Sequence, residues 1–116
     1  MAILSKNDIL EQKDTKTKTI HIPEWDGDVI ISTMTGFARD RFEASVIGKN
    51  GGMNTQNIRA KLVAACVVDE KNNLIFTEDD IIKLGKKSCT ALDKIFTQAQ
   101  ELNCLLDKDI EELAKN

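Results

Sequence analysis

The chain has 116 residues, 41% of them hydrophobic and 30% charged, which at ~100–200 residues per domain sets one domain over 1–116. Sixteen Lys and Arg against nineteen Asp and Glu leave a net charge of −3, and the aromatics are one Trp and four Phe with no Tyr. Nucleic-acid binding, which needs cationic patches and stacking platforms, is therefore excluded as a reading of the composition. No apolar run approaches the ~20 residues that span a bilayer. The start, Met1-Ala2-Ile3-Leu4-Ser5-Lys6-Asn7-Asp8, lacks a basic region leading into an apolar core. The expectation is a cytosolic protein with no membrane partner. Cys66, Cys89 and Cys104 are odd in number, widely spaced and set in helix-like contexts, which predicts reduced core thiols rather than a disulfide framework.

In chain order, Ser5-x-x-Asp8 is a capping signal that predicts a two-turn helix over about 6–12, too short to hold without packing. The alternation in Thr19-Ile20-His21-Ile22 predicts a strand with Ile20 and Ile22 on one face. Pro23 to Asp28 reads as a turn with Asp26-Gly27 supplying positive φ, and Val29-Ile30-Ile31-Ser32 as the returning strand, giving a hairpin over about 17–33. A helical region follows over about 35–115. Thr35-Gly36 starts the first of its helices, with Ala38, Phe42 and Val46 as the buried stripe. Gly48, Gly51 and Gly52 break the pattern and predict a mobile loop over about 48–54.

Beyond the loop, Ile58, Leu62, Val63, Cys66 and Val67 predict a helix of about four turns, capped by Asn54 or Thr55 and ending near Asp69. A polar turn over 69–73 leads into the short apolar run Leu74-Ile75-Phe76. Thr77-x-x-Asp80 then opens a helix through Ile81, Ile82 and Leu84, closed by Gly85 at the position just past its end. Ser88 caps a helix of about four turns whose period is held by Cys89, Leu92, Ile95, Phe96, Ala99 and Leu102, and Ile110 and Leu113 mark one more short helix in the tail. The fold class is α+β: a mostly helical single domain with a small N-terminal β-hairpin.

The segment from Asp69 to Asp80 lies between helices as a calcium loop would. However, Lys71 takes a ligand position, Leu74 stands where the sharp turn needs Gly, and Asp80 replaces the bidentate Glu. One His and three Cys show no C-x-x-C pair, so no metal site is expected. His21 has no Cys near it in sequence, which leaves nucleophilic chemistry unsupported. The glycines of 48–52 do not place Lys49 where a phosphate loop needs its Lys. No catalytic residue and no cofactor is expected, and the protein reads as a non-enzyme. Trp25, in a hairpin turn of an aromatic-poor chain, either packs back onto the helices or anchors a partner, packing being favoured. Trp25, Phe37 and Arg39 are the candidate protein-binding residues.

Taken in order, Ile22-Pro23-Glu24-Trp25-Asp26-Gly27-Asp28-Val29, Met34-Thr35-Gly36-Phe37-Ala38-Arg39-Asp40, Asn57-Ile58-Arg59-Ala60-Lys61-Leu62-Val63, Leu74 to Asp80, Leu84-Gly85-Lys86-Lys87-Ser88 and Ala91 to Phe96 resemble the small tail assembly chaperones of long, non-contractile-tailed bacteriophages and their prophages. The similarity runs from about Ser5 to the C-terminus. Asp26 departs from the Gly-Gly turn anticipated in relatives. The resemblance implies a protein of the host cytoplasm that binds the tape measure protein and keeps it soluble while tail tube subunits polymerise. It also implies self-association into a homo-oligomer and absence from the mature virion. A longer product of ribosomal frameshifting would recruit tail tube protein, and Ala114-Lys115-Asn116 can be encoded by a slippery run ending A-AAA-AAC. The competing class is a cytosolic adaptor or inhibitor domain of antitoxin type, which fits the acidic charge and lack of chemistry equally well.

Overall fold

A computed structural model describes residues 2–47 and 56–105. The anticipated loop over 48–54 and the tail helix over 107–116 lie outside those residues. The described part is α+β, as the sequence predicts. Ser5 caps α1 (Lys6–Leu10) through a complete capping box with Asp8. The hydrogen bond from the Ser5 backbone N–H holds the Asp8 carboxyl below the usual range.

The strands β1 (Thr17–Ile22) and β2 (Gly27–Ser32) pair antiparallel with Ile22 opposite Gly27. Pro23 starts a 3-10 turn over Pro23–Trp25, for which its fixed φ is suited, and Asp26 closes it in the left-handed region at φ 50°. Because side chains alternate, Ile20, Ile22, Val29 and Ile31 share the inner face. His21 and Asp28 face each other on the outer one, with His21 Nδ1 2.8 Å from Asp28 Oδ1.

Thr35 caps α2 (Gly36–Val46) by accepting from the Ala38 N–H, and Ala38, Phe42 and Val46 form its buried stripe as the spacing predicts. The next helix, α3 (Ile58–Cys66), differs from its predicted extent. It starts at Asn57, and Val67–Val68 leave it as a short strand, β3, which pairs antiparallel with Ile30 and Ile31 of β2. The hairpin is thus part of a three-stranded sheet in the order β1-β2-β3. A 3-10 turn over Glu78–Asp80 leads into α4 (Ile81–Gly85). Gly85 is the last helical residue rather than the one past the end. Close approach explains it: a Cβ there would lie 2.5 Å from Asn57 Oδ1. Ser88 caps the long α5 (Cys89–Leu102) by accepting from the Ala91 N–H.

α3 is buried on nearly every side and joins two cores. Ala60, Val63 and Ala64 pack with Ile22 and Ile31 of the hairpin, Leu84 of α4, and Leu92 and Ile95 of α5. Leu62 and Cys66 pack with Phe42 and Val46 of α2 and with Ala99 and Leu105. Asn103 ties these layers together: its Oδ1 accepts from the Met34 N–H at 2.7 Å, and its Nδ2 donates to the Ala99 carbonyl at 2.9 Å. Asn103→Ala leaves the partly buried Met34 N–H unpaired and is expected to cost about 1–3 kcal/mol in denaturant unfolding.

The three thiols divide against the expectation of three core cysteines. Cys66 is buried, but Cys89 and Cys104 are exposed, because Cys89 faces out of the first turn of α5 and Cys104 lies just past its end. Burial pushes the Cys66 thiol up to about 12 from an ordinary value of 9.0. Above pH 9 the unfolded chain therefore releases a proton that the folded chain keeps, and unfolding gains on folding as pH rises. A stability loss approaching ~1.4 kcal/mol per pH unit is expected between about pH 9 and 12 and should be absent in Cys66→Ala. Thiol labelling at pH 8 should reach Cys89 and Cys104 and spare Cys66.

Candidate functional site

An apolar groove of about 210 Å³ lies between α2, α3 and the segment after the polar turn. One wall is α2, with Phe37, Ala38, Arg41, Phe42 and Ser45; the floor is α3, with Lys61, Ala64 and Ala65. The far wall is the segment after the polar turn, with Leu74, Phe76, Thr77, Glu78 and Ile81. Two adjacent alanines keep the floor low, and the facing walls carry large side chains, so the space is a consequence of residue size. Phe37 stands on the rim with 68% of its surface exposed, because the buried stripe of α2 runs through Ala38, Phe42 and Val46 and leaves the preceding position off that face. Leu74 is also exposed.

Charge is arranged around the groove. The Arg41 guanidinium lies 5.4 Å over the Phe37 ring, and its Nε donates to Glu78 Oε1 at 3.1 Å, bridging the two walls. Lys61 donates from Nζ to the Ser45 carbonyl at 2.9 Å, satisfying an acceptor in the last turn of α2. Desolvation pulls the Lys61 ammonium below its ordinary value. Among the described residues no carboxylate pairs with Lys61.

Of the candidate binding residues, Phe37 alone lines the groove. Arg39 lies on α2, where its Nε donates to Glu43 Oε1 at 2.8 Å. Trp25 is half-buried and packs against the core formed by the hairpin, α3 and α5. Beside it, Lys94 of α5 donates to Glu24, which holds the Glu24 carboxyl below its ordinary range. The groove residues Arg41, Lys61, Leu74 and Ile81 were not singled out as a site by sequence. The apolar run 74–76 after a polar turn was the local signal.

The polar motifs serve local structure. Asp69 Oδ1 accepts from the N–H groups of Lys71 at 2.8 Å and Asn73 at 3.0 Å, and Asp80 accepts from the Thr77 N–H at 2.9 Å. Among the described residues no group of three or more His, Cys, Asp or Glu is placed to hold a metal. No described helix is long and apolar enough to cross a membrane.

The groove is an apolar concavity on a small α+β domain, and the family comparison adds what kind of protein carries it. Residues 6–116 match the family model described as phage tail assembly chaperone. The chain belongs to the phage tail assembly chaperone family. Its role there is that of a chaperone, which is not an enzymatic one. The fold is similar to that of the bacteriophage HK97 tail assembly chaperone, with a TM-score of 0.58 and 19% sequence identity over 87% of this chain and 92% of that one. No curated protein matches the chain.

Proposed function

We propose that this tail assembly chaperone family member binds the tape measure protein of its phage and keeps it soluble while tail tube subunits polymerise. The groove is the observation that carries the reading. A long helical client exposes apolar side chains at three- and four-residue spacing until the tube covers it, and a groove walled by Phe37, Phe42, Leu74 and Phe76 suits such a helix face. Arg41 and Lys61 at the groove favour a helix that carries acidic residues beside its apolar stripe. On this reading Phe37 is the anchor on the client, whereas Arg39 and Trp25 contribute through α2 and the hairpin.

The same reading sets the protein in the host cytoplasm, working as a homo-oligomer and left out of the finished virion. A longer product of ribosomal frameshifting then brings tail tube protein to the held client. Co-expression tests the central step. The tape measure protein should pass from the pellet to the supernatant and co-purify with the chaperone, and a client equally insoluble with and without it would overturn the proposal.

A further inference from the structure

An ion pair joins the two walls of the groove. Arg41, on α2, donates from Nε to Glu78 Oε1 at 3.1 Å, and its Nη2 reaches the same oxygen. The guanidinium also lies 5.4 Å over the ring of Phe37, one helical turn earlier on the same face. Both walls are seated without that link. α2 packs on α3 through Phe42 and Val46 against Leu62 and Cys66. The far wall is anchored separately, with Phe76 and Ile81 packed against the core of the hairpin, α3 and α5. Nor does the 3-10 turn over Glu78–Asp80 use the Glu78 carboxylate, since Asp80 makes the capping box with Thr77. The Arg41 and Glu78 side chains are exposed, and pairs of that kind contribute little to stability.

The pair decides instead what charge the groove offers. Lys61 lines it with no carboxylate partner among the described residues, whereas the charge of Arg41, the other cation of the lining, is already answered by Glu78. Resting on the reading that the groove holds an apolar, acid-bearing helix, we infer that Glu78 is an internal competitor of that helix. Its carboxylate holds Arg41 while the groove is empty and yields Arg41 to a carboxylate of the client. Exchanging one carboxylate for another leaves Arg41 paired, so an acidic helix opens the link readily. A helix without a carboxylate must either leave the pair in its path or separate two charges and answer neither. Glu78 is thus a specificity-determining residue that selects for acidic clients through Arg41.

Displacement tests this with the full chain. A dye-labelled parent chain is bound to the tape measure protein, and unlabelled variants are titrated in to release it. Glu78→Gln removes the competitor and should release half of the label at about 2- to 5-fold lower concentration than the unlabelled parent does, the range for an exposed ion pair. In an Arg41→Gln background the same substitution should give no gain, because Glu78 acts through Arg41. At about 1 M salt, where the screening length falls to about 3 Å, the gain should shrink toward none. Circular dichroism checks that each variant is folded, and Glu78→Ala repeats the test should Glu78→Gln misfold. A Glu78→Gln chain that displaces no better than the parent would overturn the inference and leave the proposed function standing. So would a gain that persists without Arg41, since Glu78 would then merely repel an acidic client, or one that persists at high salt. A parent that forms no complex with the tape measure protein would overturn both.

Discussion

Ile95→Ala is expected to cost about 2–5 kcal/mol, the range for truncating a buried aliphatic side chain. Ile95 is fully buried at the meeting of the hairpin, α3 and α5, with Ile22, Ile31, Val63 and Leu92 in the same core. Those neighbours come from three different elements, and none can fill the gap without moving its own backbone, which puts the cost toward the upper part of that range. Measured against a total of ~5–15 kcal/mol for a domain, this is a large fraction, and a fall in Tm of about 10–20 °C is the expected reading. Ile82→Ala is the control: Ile82 is 65% exposed on the outside of α4, and its truncation should stay within ±0.5 kcal/mol. Similar losses for both variants would mean that the packing around α3 is not the main support of the fold.

The second large effect concerns the groove. Phe37→Glu with Leu74→Glu replaces the exposed parts of two facing walls by carboxylates. A helix laid between them would then have to desolvate two carboxylates, at a cost of ~2–4 kcal/mol in a typical anchor position. That corresponds to a loss of ~30- to ~1,000-fold in affinity. Stability should change by less than about 1 kcal/mol, since neither side chain belongs to the buried cores. The split between lost binding and kept fold separates a docking surface from a structural one.

Elements with a single buried face were legible in sequence. The stripe Ala38, Phe42 and Val46, the inner-face isoleucines of the hairpin and the caps at Ser5, Thr35 and Ser88 each follow from local spacing, and all are found as read. Val67 and Val68 were not. They continue the apolar pattern of α3, and a strand of two residues is too short to show alternation; its pairing with Ile30 and Ile31 is a contact between distant segments. The exposure of Cys89 follows from its place in the first turn of α5, where the apolar period starts only at Ala91. The groove was hidden for a further reason. Its floor is two small residues and its walls come from segments 37–45 and 74–81, so no single stretch carries its signature. Phe37 was named within a family-like segment, whereas Arg41 and Lys61 read as ordinary solvated charges.

The most direct test of the account is co-purification of the tape measure protein with the parent chain and with the Phe37→Glu, Leu74→Glu variant, both expressed to the same level. The groove account predicts that the parent holds the client in the soluble fraction and that the folded variant does not. A variant that retains the client as well as the parent would contradict it.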